Sequence, residues 1–504
     1  MSDPSASADL PPDATAKPVQ RRVVLTGALL CMILAALDQN IVNTALPRIV
    51  GDLGGLAHMS WVFTAFMLTA TATTTLYGRL SDIHGRRPLF FIAIGLFIVG
   101  SLLCGMARSM TQLIALRALQ GLGAGGLLVL AQSAIGDVFT PRERPRYQGI
   151  ITGAFALASV AGPITGGAIT ELLSWRWVFF VNLPIALAAL AMIFLGLKDT
   201  VRHERHPIDF AGIALLVAAT TALLLLLAWG GGEFPWISVT TAGFALSVAV
   251  LFALFVRREK RAPDPLVRLS LLRNVTYARG VMIGGMMTFA MLGSTVFLPL
   301  YFQLVLGMSP TAAGAMLLPQ VVGMMITSVI GGRIVSRLGS GRAFLRAGIA
   351  VEALALMSLG WFAHIGGGAY AFMLSTFCLG FGMGMGMPNL TVTVQNAVPY
   401  RELGAATGMM TFIRSLGGAL GVAASGTIMA QHLLAALGRD HASLSAGALH
   451  RLSPADLAAI AGVYHHALMW CFWLSGAVMG IAFLLTLGLP NTRLRDRIED
   501  AAEA

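Results

Sequence analysis

Charged side chains are scarce in this 504-residue chain: 34 Lys and Arg and 23 Asp and Glu make up 11% of it. Soluble domains carry about 25%, so a soluble enzyme is excluded on that ground. Cysteine is nearly absent. The four that occur (Cys31, Cys104, Cys378, Cys471) lie inside apolar runs, which excludes a disulfide framework and suits small buried side chains. There is no CxxC or HExxH spacing, no phosphate loop and no nucleophile–base constellation. The sequence therefore offers no metal site, no catalytic residue and no cofactor site, and no enzyme is expected.

What is present in excess is apolar surface. Hydrophobic residues make up 56% of the chain and the mean hydropathy is +0.77. At ~20 residues per membrane-spanning helix, that is enough for about fourteen spans, and the expected fold class is an all-α polytopic membrane protein. Apolar segments lie near residues 23–46, 58–78, 89–107, 111–137, 149–170, 177–197, 209–229, 237–256, 275–302, 312–333, 343–363, 369–397, 404–430 and 466–489. The first exceeds the ~7–15 residues of a signal-peptide core, so it is expected to be a retained helix. Segment 369–397 is long enough to be tilted or broken.

Arginine placement sets the topology. One set of alternate loops, together with both tails, holds 27 of the Lys and Arg residues; the opposite loops hold five. The positive-inside rule then places both termini in the cytoplasm. It also explains the net charge of +11 through anionic lipid, without nucleic acid.

The sequence repeats. Gly78–Gly85 recurs as Gly332–Gly339 at an offset of 254; Thr152-Gly153 with Gly162–Gly166 recurs as Thr407-Gly408 with Gly417–Gly421 at an offset of 255. Two six-helix units are expected at 21–197 and 275–490. They flank a linker, 198–274, carrying two extra helices, and residues 1–20 and 491–504 form cytoplasmic tails, the first of them disordered. Parallel repeats place a substrate site at their interface near the bilayer midplane.

Several polar residues interrupt the apolar runs. Asp38 lies about fifteen residues, or ~22 Å, into helix 1. A carboxylate there costs several kcal/mol unless it is protonated, paired or hydrated, which makes it a candidate proton carrier. Gln39, Asn40, Asn43 and Thr44 extend a polar arc that is expected to line a water-filled cavity, with Gln120 of helix 4. Arg117 shares a helix face with Gly121 and Gly125 and cannot release a proton, so it suits tuning a nearby acid. The loop from Gly78 to Pro88 carries Asp82 and Arg86 beside Gly85, a combination that can latch helix ends. In helix 5, Gly153, Gly162, Pro163, Gly166 and Gly167 permit close packing or a kink. Glu352 and Arg414 are two further intramembrane charges that can line the cavity or pair locally. The Met-rich stretch Gly380–Pro388 suits packing more than an adaptable binding wall. His465 and His466 are expected to open the last helix at the outer surface, and the external loop 431–464 carries no functional signal.

With these residues in hand, the sequence resembles a known family. Gly78–Arg87 looks like the signature loop of the major facilitator superfamily. Arg117–Gly123 and Gly153–Gly167 resemble its helix 4 motif and helix 5 antiporter motif. The opening Leu37–Pro47, the stretch Trp175–Pro184 and the fourteen-helix count resemble its fourteen-helix drug:proton antiporter branch, which contains quaternary-ammonium exporters. The resemblance covers about residues 20–490.

It implies two bundles rocking about a central cavity, with proton entry driving drug exit from a bacterial inner membrane. By position it makes Asp38 the protonated acid and Arg117 its partner. Asp82, Arg86 and Asp137 become the cytoplasmic gate with Gly78 and Gly85, and Gly153, Gly162, Pro163, Gly166 and Gly167 the antiporter hinge. Two departures stand out: Ser336 replaces an aspartate in the second-half loop, and helix 10 contains no acid. The expected function is proton-coupled export of hydrophobic, often cationic, small molecules by a monomer, with the proton gradient as energy source. The alternatives are a dedicated exporter of one antibiotic, siderophore or metabolite, a proton-coupled importer, and a lipid flippase.

Overall fold

The computed structural model describes residues 18–53, 59–197, 209–230, 234–262, 269–308, 310–399, 402–437 and 454–490. Both expected tails beyond these bounds, the linker stretch 198–208 and loop residues 438–453 lie outside them. So do the side chains of Asn43 and Pro163. Among the described residues the only β feature is an isolated bridge between Gly230 and Phe234.

The first half contains α1 (Pro18–Leu53), α2 (Met59–His84), α3 (Arg86–Gly105), α4 (Met110–Val138), α5 (Arg144–Leu172), α6 (Trp177–Phe180) and α7 (Asn182–Gly196). Next come α8 (Phe210–Trp229) and α9 (Val239–Glu259). The second half contains α10 (Val275–Thr295), α11 (Leu298–Leu304), α12 (Pro310–Ala315), α13 (Leu318–Leu338), α14 (Arg342–Ile365), α15 (Ala369–Asn396), α16 (Leu403–Leu437) and α17 (Pro454–Leu487).

Among the described residues eleven helices are long and apolar enough to cross a membrane, fewer than the fourteen expected. Of the other three long helices, α2 and α5 have 26 and 29 residues but carry Thr, Gly and charged residues, and the apolar part of α8, Ala211–Leu227, is short. Several segments expected to be single helices are interrupted. Segment 177–197 breaks at Val181 into α6 and α7, and prolines 299 and 319 open α11 and α13, where a missing N–H costs nothing. The last helix begins at Pro454, not at His465. By contrast α15 runs unbroken through Pro388.

Helix pairing follows the sequence repeat. In the first half α1 packs on α5 and α7, and α4 on α2 and α3; in the second, α10 packs on α16 and α17, and α15 on α13 and α14. Separate apolar cores fill each half, one within residues 24–197 and another within 277–489. The halves meet through α2 against α16 and α5 against α13. Helices α8 and α9 lie beside this junction, where Leu216 and Phe255 pack with Phe412 of α16. Only 11% of the apolar window of α9 is buried, against 61% for α4, so α9 is at the periphery.

Asp209 ties α8 to α9. Its carboxylate accepts the Gly212 N–H at 3.0 Å and the Arg258 Nε–H at 3.0 Å. Burial pushes this carboxyl up, but Arg258 and the N–H groups of Gly212 and Ala211 pull it further down, below its ordinary value. A lowered folded-state value stabilises the fold above the ordinary carboxylate range and the contribution fades as pH falls below it. Asp209→Asn is therefore expected to melt below the native protein at neutral pH, with the gap closing below about pH 4. A gap that stays constant down the acid limb would show that the clasp contributes no charge-dependent stability.

Candidate functional site

Two loci emerge. The first lies deep in the first half, where α1, α3, α4 and α7 converge. Small residues make this possible. A Cβ on Gly121 would come within 2.5 Å of the Phe66 carbonyl, and one on Gly100 within 2.6 Å of the Gln120 backbone, so both helices approach α4 closely. Asp38 accepts from Arg117 Nη1 at 2.7 Å on Oδ2. Its Oδ1 accepts from Gln120 Nε2 at 2.9 Å and Asn182 Nδ2 at 2.7 Å. Arg117 also donates to Gln120 Oε1 at 2.7 Å and to the Val62 carbonyl at 3.3 Å. Its guanidinium lies 4.0 Å from the centroid of the Phe66 ring. Ser101 accepts from Gln120 and Asn182 and donates to the Phe179 carbonyl.

Asp38, Ser101, Arg117, Gln120 and Asn182 are all 0% exposed, so the charge pair is sealed. Breaking such a pair on one side costs ~3–5 kcal/mol because a bare charge is left behind. The network is not fully satisfied: Arg117 Nη2 and Asn182 Oδ1 have no hydrogen-bond partner. That leaves one donor and one acceptor free for a rearranged set of bonds.

The structure brings Asp38, Arg117 and Gln120 together, but Gln120 belongs to the sealed network and lines no open wall. The polar arc does not join them. Gln39 is half-buried and reaches Met67 Sδ at 3.2 Å, Asn40 donates to its own Ala36 carbonyl, and Thr44 is exposed. These positions turn by about 100° per residue away from Asp38. Asn182 and Ser101 were not anticipated. The available signal was an asparagine two residues before Pro184, at the point where segment 177–197 breaks.

The second locus is at the basic end, where the halves touch. Arg86 contacts Asp82 at 2.7 Å and Asp137 at 2.9 Å, and also Ser81. Asp82 reaches across the junction and accepts the N–H groups of Gly404 at 3.0 Å and Ala405 at 2.7 Å. These are otherwise unmatched donors in the first turn of α16, and a carboxylate is well placed against them. Gly85, with φ 86°, makes the turn that aligns α2 and α3 for this contact; a side chain there would be strained.

Glycines set the closeness of the junction. A Cβ on Gly78 would lie 2.5 Å from the Gly404 carbonyl and 3.1 Å from Gly408 Cα. The symmetric contact recurs, since Gly149 abuts the Ser328 carbonyl and Gly332 the Pro145 carbonyl. Its loop is built differently. Arg142 donates to the backbone carbonyl of Ser336 at 3.3 Å, where the first junction has a carboxylate.

The helix 5 residues divide by neighbour. Gly162 and Gly166 face Asn40 and Ile41 of α1, Gly153 faces Met325 and Val329 of α13, and nothing lies within 4 Å of a Cβ on Gly167. α5 continues without a break through Pro163. Glu352 is 0% exposed and neither carboxyl oxygen has a partner; Arg414 is half-buried between α10, α15 and α16. In the Met-rich stretch of α15, Gly380 abuts Gln320 and Gly382 abuts Gly348, which is close helix packing.

A model of the Major Facilitator Superfamily matches residues 28–211 and 208–422. The multidrug transporter protein MdtP of Bacillus subtilis is 36% identical over 421 residues, covering 82% of this chain and 76% of that protein. Multidrug resistance protein 3 of the same organism is 34% identical over 416 residues, covering 82% and 80%. Among solved structures, the proton:xylose symporter XylE superimposes with a TM-score of 0.67 at 14% identity, covering 96% of this chain and 99% of that one.

Proposed function

The chain belongs to the major facilitator superfamily, and from that premise we propose that it is a proton-coupled exporter of hydrophobic small molecules, cations among them. The observation that carries the coupling is the sealed Asp38–Arg117 pair. Placing a proton on Asp38 removes the charge that Arg117 faces, so proton binding and rearrangement of α1, α4 and α7 are one event. Proton and cargo then favour different arrangements of these helices, so binding one promotes release of the other, which is antiport.

Joining α6 to α7, α10 to α11 and α12 to α13 gives fourteen transmembrane rods, with 21–197 and 275–490 as the moving halves and α8 and α9 as the insert. The basic end is the cytoplasmic end, both termini lie there, and the membrane is a bacterial plasma membrane. Cargo leaves by alternating access. Contacts between the halves at Gly78–Gly404 and Gly149–Ser328 support a state closed toward the cytoplasm. Gly153, Gly162, Pro163, Gly166 and Gly167 of α5 are the hinge, the Asp82–Arg86–Asp137 cluster with Gly78 and Gly85 is the gate, and a monomer suffices. The energy source is the proton gradient, without a cofactor.

The test uses purified protein in liposomes with an imposed pH gradient and the lipophilic cation ethidium. Gradient-driven movement that a protonophore abolishes is the expected result. Movement indifferent to the gradient, for ethidium and for a panel of chemically unrelated dyes, would sink the proposal.

A further inference from the structure

Arg414, like Glu352, is an intramembrane charge that the coupling site does not use. It lies eleven residues from the start of α16, ~16 Å along the helix, which is near the middle of a ~30 Å hydrocarbon layer. A cation at that depth costs several kcal/mol unless something meets it. Arg117, the intramembrane arginine of the first half, is met by a carboxylate, a glutamine, a carbonyl and an aromatic face. Among the described residues Arg414 has one protein acceptor, the Thr391 hydroxyl at 3.1 Å from Nη2, and its buried Nε has none. No aromatic ring stacks on it among the described residues.

Among the described residues no acid pairs with it. Glu352 has both oxygens unpartnered, so it does not pair with Arg414. Glu402 lies twelve residues earlier on the chain, ~18 Å along the axis. Asp38 is enclosed by Arg117, Gln120 and Asn182, and Asp82 is held by Gly404 and Ala405.

Arg414 sits where three helices of the second half meet. Arg414 is half-buried. Its neighbours are Thr391 of α15 and Gly284 of α10, whose missing side chain leaves 3.1 Å between a would-be Cβ and Nε. α15 and α16 are also the helices that touch α5, α2 and α4 of the other half. Arg414 is therefore carried on helices that border the junction between the halves. A polar seam runs from it toward the basic end, with Thr411 and the Gln395–Thr407 contact at 3.3 Å.

We propose that Arg414 is an anion-binding subsite, taking the carboxylate or sulfonate of an amphipathic organic acid whose apolar body lies in the cleft between the halves. A planar guanidinium with free N–H donors suits such an oxyanion, and a charge-assisted bond in a low-dielectric site is strong. That such an acid is exported rests on the export reading above; its binding does not. An inorganic anion such as chloride presents the same charge and is the competing occupant.

Equilibrium binding to the purified full-length protein tests this without a proton gradient. The probes are dansylglycine, a fluorescent amphipathic carboxylate, and its uncharged methyl ester. The native protein is expected to bind the acid about tenfold more tightly than the ester. Arg414→Gln should lose that preference while binding the ester as before, and Arg414→Lys should keep part of it. Equal affinity of the native protein for acid and ester would overturn the proposal without recourse to any variant. So would a preference that survives in Arg414→Gln, or one that vanishes when gluconate is replaced by physiological chloride, which would assign the subsite to an inorganic ion. Asp38→Asn should keep the preference even where gradient-driven transport is lost, so failure of the export reading is separately visible.

Discussion

Asp38→Asn is expected to reduce pH-driven transport to background and, in the same protein, to lower thermal stability. The two effects have one cause. Asparagine fills the same volume, but Asp38 takes donors on both oxygens, from Arg117 on one and from Gln120 and Asn182 on the other. An amide presents one acceptor and one donor, so at least one N–H meets another N–H. Arg117 then has no negative charge within the sealed site. The cost is that of a broken buried pair, ~3–5 kcal/mol. Asparagine also imitates the proton-loaded acid, so the variant should be held in the conformation that protonation favours.

The double variant Asp38→Asn/Arg117→Gln separates structure from coupling. Removing the orphaned cation should return much of the lost stability, because neutral groups can then share the hydrogen bonds. Transport should stay at background, since no carboxylate remains in that network. Melting in detergent and gradient-driven flux in liposomes read the two quantities independently. Full pH-driven flux in Asp38→Asn would remove Asp38 from the coupling step. Flux restored together with stability in the double variant would reduce the pair to a structural element.

Much of this was legible in the sequence, and what was not has physical reasons. Charge scarcity and repeated apolar runs are bulk signals, and they identify the helical membrane class directly. Arg117 and Gln120 could be placed on one helix face because three residues make nearly one turn. Asn182 could not be joined to Asp38, since 144 residues separate them and no local period connects the two. The arc of Gln39, Asn40 and Thr44 misled because polarity alone does not say which side of α1 faces the core. Asn40 and Thr44 instead bond their own backbone. Helix breaks at Val181 and after Thr295 also escaped, because apolar composition runs straight through them.

The latch shows the same limit from the other side, and it supplies the second large effect. Asp82 and Arg86 stood out as side chains, whereas the partners of Asp82 across the junction are main-chain N–H groups of α16, which carry no sequence signal beyond the glycine at 404. Gly78 is the more severe test of that junction. A Cβ there would lie 2.5 Å from the Gly404 carbonyl and 3.1 Å from Gly408 Cα, both backbone atoms that no rotamer change can move. Gly78→Val must push α2 and α16 apart, and the Asp82 bonds of 2.7 and 3.0 Å would break with them. Asp82→Asn, by comparison, weakens a helix cap worth ~1–2 kcal/mol, a factor of roughly 5–30 in the closed population. Transport by Gly78→Val is therefore expected to fall below that of Asp82→Asn, with the basic end held open. A cysteine at Ala405, in a background lacking the four native thiols, would report it through faster reaction with a membrane-impermeant maleimide from that side. Unchanged flux and labelling in Gly78→Val would mean that the halves do not need this contact to close.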